Sequence, residues 1–365
     1  RQLVSAVKRR IVGASGRQKR KMRAKTKKSI SDEPGFDIRE QWVKQKHMQR
    51  EYAALVRRLL IQVSLDDNNR PSQIIGLKRI PANAKDILSF AFQNDEDLKL
   101  DCDEQSSPEL SYFLLSLNDF VAMVGSYEWN RTGIFIDALQ NYIHPHFGVF
   151  PPTRQDYIQL LEHINIDRKT QQNPIRMMEI GIGSGVLSLI LLHQKKVDFV
   201  IGTDINPYAI ACAKDNMHRL GFGNQIHLIQ ADLFPPYEAI MKDDTNIILF
   251  NPPWIPGDSG SPLDQAVFDS QNIWRRFLSQ VQHYVNEDGH IYLLLSNIAM
   301  LLGLFREEDL HQMFEEGNLE LVEVHKTKSK QEVARGKMVR DPPLEGIENV
   351  RAKEVISLYH LRVKR

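Results

Sequence analysis

Arg176-Met177-Met178-Glu179-Ile180-Gly181-Ile182-Gly183-Ser184-Gly185-Val186 is a strand-length apolar run that passes directly into a glycine loop and then into an apolar stretch ending at His193. Glycine at three alternate positions permits positive φ and clears side chains from the backbone, and a helix starting there offers free amides. A nucleotide-type cofactor is the natural occupant, although an ordinary tight turn uses the same residues. The spacing is GxGxG, with Val186 where a GxGxxG dinucleotide loop would carry its last glycine, which argues against NAD or FAD.

Outward from this junction, short apolar runs alternate with amphipathic ones, the pattern of a parallel sheet with crossover helices. Strands are expected near Met177 to Ile180, Phe199 to Thr203, Gln225 to Gln230, Ile247 to Phe250 and His290 to Leu295, with closing apolar runs at Leu319 to Val324 and Val355 to Leu361. Helices are expected near Gly185 to His193, Pro207 to Leu220, Pro262 to Tyr284 and Glu307 to Glu316. Ligands of open α/β sheets sit at the carboxyl ends of the strands. The second strand ends at Asp204, placed to accept from two ribose hydroxyls. The third ends at Ala231-Asp232-Leu233-Phe234, where an Asp can accept from an adenine amino group while Leu233 and Phe234 flank the ring. Taken singly, each Asp could equally be a strand-end cap; their succession at consecutive strand ends is harder to explain that way.

The fourth strand runs into Asn251-Pro252-Pro253-Trp254. Amide and exocyclic amino nitrogens are poor nucleophiles because their lone pairs are delocalised. The Asn251 side-chain carbonyl and the Pro252 main-chain carbonyl can accept the two N–H hydrogens of such a group, with the prolines presetting where the carbonyls point. Trp254 can stack on a flat target, an interaction worth on the order of 1 to 3 kcal/mol per base. The chemistry is positioning, and it needs neither a triad nor a metal.

These motifs together resemble the class I S-adenosylmethionine methyltransferases, and among them the Asn-Pro-Pro-aromatic amino-methyltransferases of the small-domain and release-factor glutamine type. The resemblance covers about Gly148 to Lys364. It implies a Rossmann-like, mostly parallel sheet with an antiparallel last strand. Glu179, Gly181, Gly183 and Gly185 would surround the methionine part of S-adenosyl-L-methionine, Asp204 its ribose and Asp232 with Leu233 its adenine, with Asn251 beside them. The implied reaction is methyl transfer to a planar nitrogen of RNA or protein. Release-factor enzymes carry a proline-, arginine- and glutamate-containing segment before the first motif. This chain has Gly148-Val149-Phe150-Pro151-Pro152-Thr153-Arg154 there, so a glutamine acceptor does not follow from the residues. Arg154 and Tyr157 are the candidates to line the target or cofactor; a plain linker into a helix over Thr153 to Ile164 fits as well.

The N-terminal third is of different character. Three segments read as helical: Gln41 to about Leu65, Pro81 to Phe92, and Pro108 to Val124. They are separated by a turn over Asp66 to Ser72 and an acidic loop over Asp95 to Glu104. The expected organisation is a basic flexible arm over 1–35, a mainly helical domain over 36–147 and a methyltransferase domain over 148–365. The formal net charge of +1 conceals twelve Lys or Arg and no acid between Arg1 and Lys28. Such a block is a solvated arm, a nucleic-acid contact that displaces phosphate counterions, or an organelle-targeting segment.

With 42% hydrophobic and 25% charged residues the chain can bury a sizeable core, and no run approaches membrane-spanning length. Cys102 and Cys212 lack any CxxC partner, which disfavours a disulfide framework and suits a reducing, cytoplasmic setting. His144-Pro145-His146 holds two imidazoles without a spaced third ligand and reads as loop, so no metal is expected. Two other functions stay open: a binding protein that keeps a cofactor-competent domain without catalysis, and a methyltransferase acting on oxygen or carbon.

Overall fold

The computed structural model describes residues 38–66, 70–75, 83–92, 112–164, 174–236, 245–256, 268–269, 272–328 and 353–365. These fall into two compact units, one ending at Tyr127 and the other beginning at Glu128. The basic segment 1–35 and the acidic loop 95–104 lie outside the described residues.

In the first unit, helix α1 (Ile38–Arg57) is followed by strands β1 (Leu60–Leu65) and β2 (Pro71–Ile75), helix α2 (Ala84–Ala91), strand β3 (Tyr112–Ser116) and helix α3 (Leu117–Thr132). The three strands form an antiparallel sheet in the order β2-β1-β3. Two of the expected helices are therefore shorter than their apolar patterns suggest. Residues 60–65 alternate, with Ile61, Val63 and Leu65 buried and Gln62 and Ser64 less so, a period of two that favours a strand once partners exist. Gln62 pairs with Ile75 on one side and Leu114 on the other, which takes 112–116 out of the helix expected from Pro108. Of the turn expected over Asp66 to Ser72, residues 67–69 lie outside the described residues; the Asp66 carboxylate accepts from the Arg70 amide at 3.0 Å.

The second unit opens with a small hairpin, β4 (Ile134–Ile136) and β5 (Asn141–Ile143), and a 3-10 segment, Ile158–His163, where the linker was expected to be helical. The sheet then begins. Its strands are β6 (Arg176–Ile180), β7 (Phe199–Asp204), β8 (Ile226–Gln230), β9 (Ile247–Phe250), β12 (His290–Ser296), β13 (Leu319–Lys328) and β14 (Val355–Val363), with a short parallel pair, β10 (Ile255–Pro256) and β11 (Phe268–Asp269), between β9 and β12. Helices α4 (Val186–His193), α5 (Pro207–Arg219), α6 (Ile273–Gln280) and α7 (Glu307–Glu316) connect them. Part of the expected helix from Pro262 lies outside the described residues; α6 starts where the Asp269 carboxylate accepts the Ile273 amide at 2.8 Å.

The order is β13-β14-β12-β9-β6-β7-β8, with β14 antiparallel to both neighbours. This is the Rossmann-like, mostly parallel sheet expected. The chain moves from β6 outward to β8 and returns to β9 on the other side of β6, so the strand order reverses there and opens a crevice at the carboxyl ends. Strands β6, β9 and β12 are nearly continuous apolar runs because helices cover both faces. Leu189 to Leu192 of α4 pack on one face, and Phe277 with Leu310 and Phe314 on the other. Gly202 of β7 has a steric reason: a Cβ there would come within 2.3 Å of Ile182 Cδ1 and 2.9 Å of Leu228 Cδ2. The glycine loop thus rests its one large side chain on a strand that leaves room for it.

Candidate functional site

Gly181, Gly183 and Gly185 all take positive φ, +65°, +54° and +79°. The loop's amides are not free as anticipated. Ile182 N donates to the Thr203 carbonyl (2.8 Å), Gly183 N to Asp204 Oδ2 (2.9 Å), Gly185 N to the Ile182 carbonyl (2.8 Å) and Ser188 N to Glu179 Oε2 (3.0 Å). A pyrophosphate needs those donors, which Glu179 and Asp204 already take, and the Asp204 carboxylate repels it. A cationic group gains from the same arrangement. The loop therefore fits a positively charged cofactor better than a dinucleotide, a sharper discrimination than glycine spacing allows.

Glu179 is 2% exposed and also accepts the Ser188 hydroxyl; burial pushes its carboxyl up to about 8, against the pull of the Ser188 donors. Burial likewise raises the Asp204 carboxyl, with the Asn206 and Gly183 amides opposing it. Asp204 Oδ1 accepts Asn206 N at 2.9 Å, and Asn206 in turn donates to the Gly148 carbonyl at 3.0 Å, tying the segment before the first motif to the end of β7. Ile205, next to Asp204, is 54% exposed. An apolar side chain left in water at a strand end beside the crevice suits a flat ring, and the sequence reading passed over it.

The third strand end is arranged differently from expectation. Asp232 is ion-paired with Arg276 at 2.7 Å while remaining half exposed. Leu233 takes φ +65° and its carbonyl accepts from Thr203 Oγ1 at 2.7 Å, a strained turn held by a buried bond. Phe234 stacks on Tyr284 at 4.3 Å within the core, so it does not flank a ligand ring.

Asn251 leaves β9 level with Gly181 leaving β6, because Ile180 and Phe250 are register partners. Its Oδ1 accepts Trp254 Nε1 at 3.0 Å; the same indole proton is shared with the Leu294 carbonyl at 3.2 Å. A second indole, that of buried Trp274, donates to the Pro253 carbonyl at 2.7 Å. The Pro252 carbonyl accepts no hydrogen bond among the described residues. Of the motif's two main-chain proline acceptors, Pro253 is consumed by the scaffold and Pro252, among the described residues, is left open.

Trp254 is wedged rather than open. The Arg154 guanidinium lies 5.2 Å over its ring and the Tyr157 ring meets it edge-on at 6.2 Å. Arg154 itself bridges two buried carboxylates, Asp156 at 2.8 Å and Glu354 at 3.2 Å, with Ser296 Oγ donating to Glu354 at 2.6 Å. Burial opposes the charge on Arg154, but Asp156 and Glu354 outweigh it and raise its pKa. Tyr157 is buried, which pushes its hydroxyl up to about 12. Both residues stand beside the motif as supports, not at an open entrance. Of the two histidines in the preceding loop, His144 Nδ1 bonds the Asn130 carbonyl and His146 Nε2 meets Asp215 at 3.1 Å.

Residues 141–316, from β5 to the end of α7, match the family model Methyltransferase small domain. A Methanocaldococcus jannaschii protein whose name provisionally assigns it protein N5-glutamine methyltransferase activity is 30% identical over 173 residues, 46% of this chain and 80% of its own length. The chain belongs to the small-domain methyltransferases. Other relatives of this small-domain methyltransferase include the release factor glutamine methyltransferase of Moorella thermoacetica, 29% identical over 36% of this chain and 46% of its own. That of Bacillus anthracis is 26% identical over 47% of this chain and 62% of its own. Both release-factor alignments span less than two thirds of the relative.

Proposed function

We propose that this small-domain methyltransferase transfers a methyl group from S-adenosyl-L-methionine to a side-chain amide nitrogen of a protein. The observation that carries the reading is the pair of acceptors at the end of β9: Asn251 Oδ1 and the Pro252 carbonyl, unengaged among the described residues, level with a glycine loop beside Glu179 and Asp204. When bound, the cofactor supplies an electrophilic methyl on a sulfonium. Glu179 and Asp204 would stand by its charged and ribose parts, Gly181 to Gly185 would admit its backbone-like portion, and Ile205, Leu233 and Asp232 would meet its adenine. Asn251 and Pro252 would accept the target's N–H hydrogens and so turn the nitrogen lone pair outward, leaving only alignment to be achieved.

The protein acceptor is favoured because the chain is 30% and 29% identical, over the stretches given above, to relatives named for glutamine methylation. An RNA acceptor is favoured by a different observation, the twelve basic residues before Ser29. We place the catalytic region at 148–365, a nucleic-acid contact on the basic segment 1–35 and the enzyme in the cytoplasm, a reducing setting that suits two cysteines without a CxxC partner. No described helix is long and apolar enough to cross a membrane. The test is transfer of tritiated methyl from S-adenosyl-L-methionine into a cell extract, followed by protease or nuclease digestion. Release of label by protease, and its loss with Asn251→Ala, is expected. Nuclease-released label would make RNA the acceptor, and full activity of Asn251→Ala would sink the assigned chemistry.

A further inference from the structure

We infer that Trp254 is a positioning residue that locks the orientation of the Asn251 carboxamide, an inference that rests on Asn251 being the target-holding group proposed above. A carboxamide is nearly symmetric in shape, and its terminal torsion is broad and roughly two-fold. Its two ends are opposite in chemistry: oxygen accepts, the NH2 donates. With Oδ1 toward the target, Asn251 accepts an N–H. Turned by half a rotation, it would present a donor to a donor, and the target would be refused.

An indole N–H only donates. At 3.0 Å from Oδ1, Trp254 Nε1 is satisfied by the carboxamide oxygen and opposed by the NH2 group. Trp254 cannot follow a turning carboxamide, because the Leu294 carbonyl holds its proton at 3.2 Å, Arg154 covers its ring and Tyr157 abuts its edge. The carbonyl oxygen has two lone pairs, so the one bonded to Trp254 leaves the other for the target. The aromatic residue of the motif thus acts here through its nitrogen, where a phenylalanine could supply only a ring.

Two measurements on the full chain test this. The protein labelled with 15N-tryptophan has one indole resonance for each of its four tryptophans, and that of Trp254 is the one lost in Trp254→Phe. Asn251→Asp places a charged acceptor opposite the indole and should move its proton downfield, while Asn251→Ala removes the acceptor and should move it upfield. Shifts in the same direction for both variants would overturn the bond. In the second measurement, tritiated methyl transfer to extract protein is compared for Trp254→Phe in the wild-type and Asn251→Asp backgrounds. A carboxylate has two equivalent oxygens and no wrong orientation to exclude. Trp254→Phe should lower kcat about tenfold in the wild type with unchanged KM for the cofactor, but less than about twofold in the Asn251→Asp background. Equal losses in both backgrounds would mean that Trp254 acts by packing alone. If the wild type transferred no methyl, the functional reading would fall, while the resonances would still decide the lock.

Discussion

Replacing Arg154 with Gln removes the cation that stands between Asp156 and Glu354, whose side chains are only 5% and 4% exposed. Breaking a buried ion pair from one side costs about 3 to 5 kcal/mol, because the remaining charge is left in a poorly solvating site. Here two carboxylates share the loss; the Ser296 hydroxyl still donates to Glu354, so the lower half of that range is the better expectation. For a unit of this size each kcal/mol is worth roughly 2 to 4 °C, which gives a fall in Tm of roughly 6 to 16 °C. Thermal unfolding at neutral pH followed by tryptophan fluorescence measures it, and the same emission reports on Trp254, whose ring loses its covering guanidinium. Arg154→Gln combined with Glu354→Gln should regain part of the loss, since one of the two buried charges is then gone. A single variant within 1 °C of wild type, or a double variant less stable than the single, would refute the claim that Arg154 joins the pre-motif segment to the last strand.

Two further outcomes follow from the cofactor side. Glu179 holds its proton up to about 8, whereas an unfolded Glu releases it near the ordinary 4.5. The native state therefore binds more protons across that window, and stability falls as pH rises through it, by up to about 5 kcal/mol at about 1.4 kcal/mol per unit. Urea unfolding between pH 5 and 8 should show this slope, and Glu179→Gln should flatten it; identical slopes would refute the assignment. Gly202→Ala should destabilise by about 1 to 3 kcal/mol through overpacking against Ile182 and Leu228. Because Ile182 belongs to the glycine loop, calorimetry should also show weaker cofactor binding, and unchanged affinity with unchanged Tm would contradict the packing argument.

The catalytic unit was readable where chemistry is written in contiguous residues. Strand, glycine loop and helix follow one another from Arg176 to His193, and the Asn-Pro-Pro-Trp run directly extends β9, so local pattern and global position agree. What escaped was coupling at long range. Nothing near Arg154 announces Glu354, 200 residues away, and nothing near Pro253 announces the indole of Trp274. Phe234 looked available because it follows an Asp at a strand end, but the positive φ of Leu233 turns the chain and carries Phe234 onto Tyr284. In the first unit, apolar residues spaced for a helix ran as far as Leu59 and Leu60, and beyond them the presence of two partner strands made the two-residue period decisive.

Strand β14 follows β13 in the chain, yet it lies inside the sheet between β13 and β12. A chain emerging from the ribosome can assemble β6 to β9, add β12 alongside β9 and dock their helices, but β13 has nothing to join it to the sheet until residues 355–363 are out. Glu354, which anchors Arg154 above Trp254, arrives at the same moment. Distant pairing of this kind is slow because a long loop must close before any contact rewards it. The support around Trp254 therefore depends on residues 354–363, so the glycine loop would take shape well before the side of the crevice that carries Asn251 and Trp254 is braced.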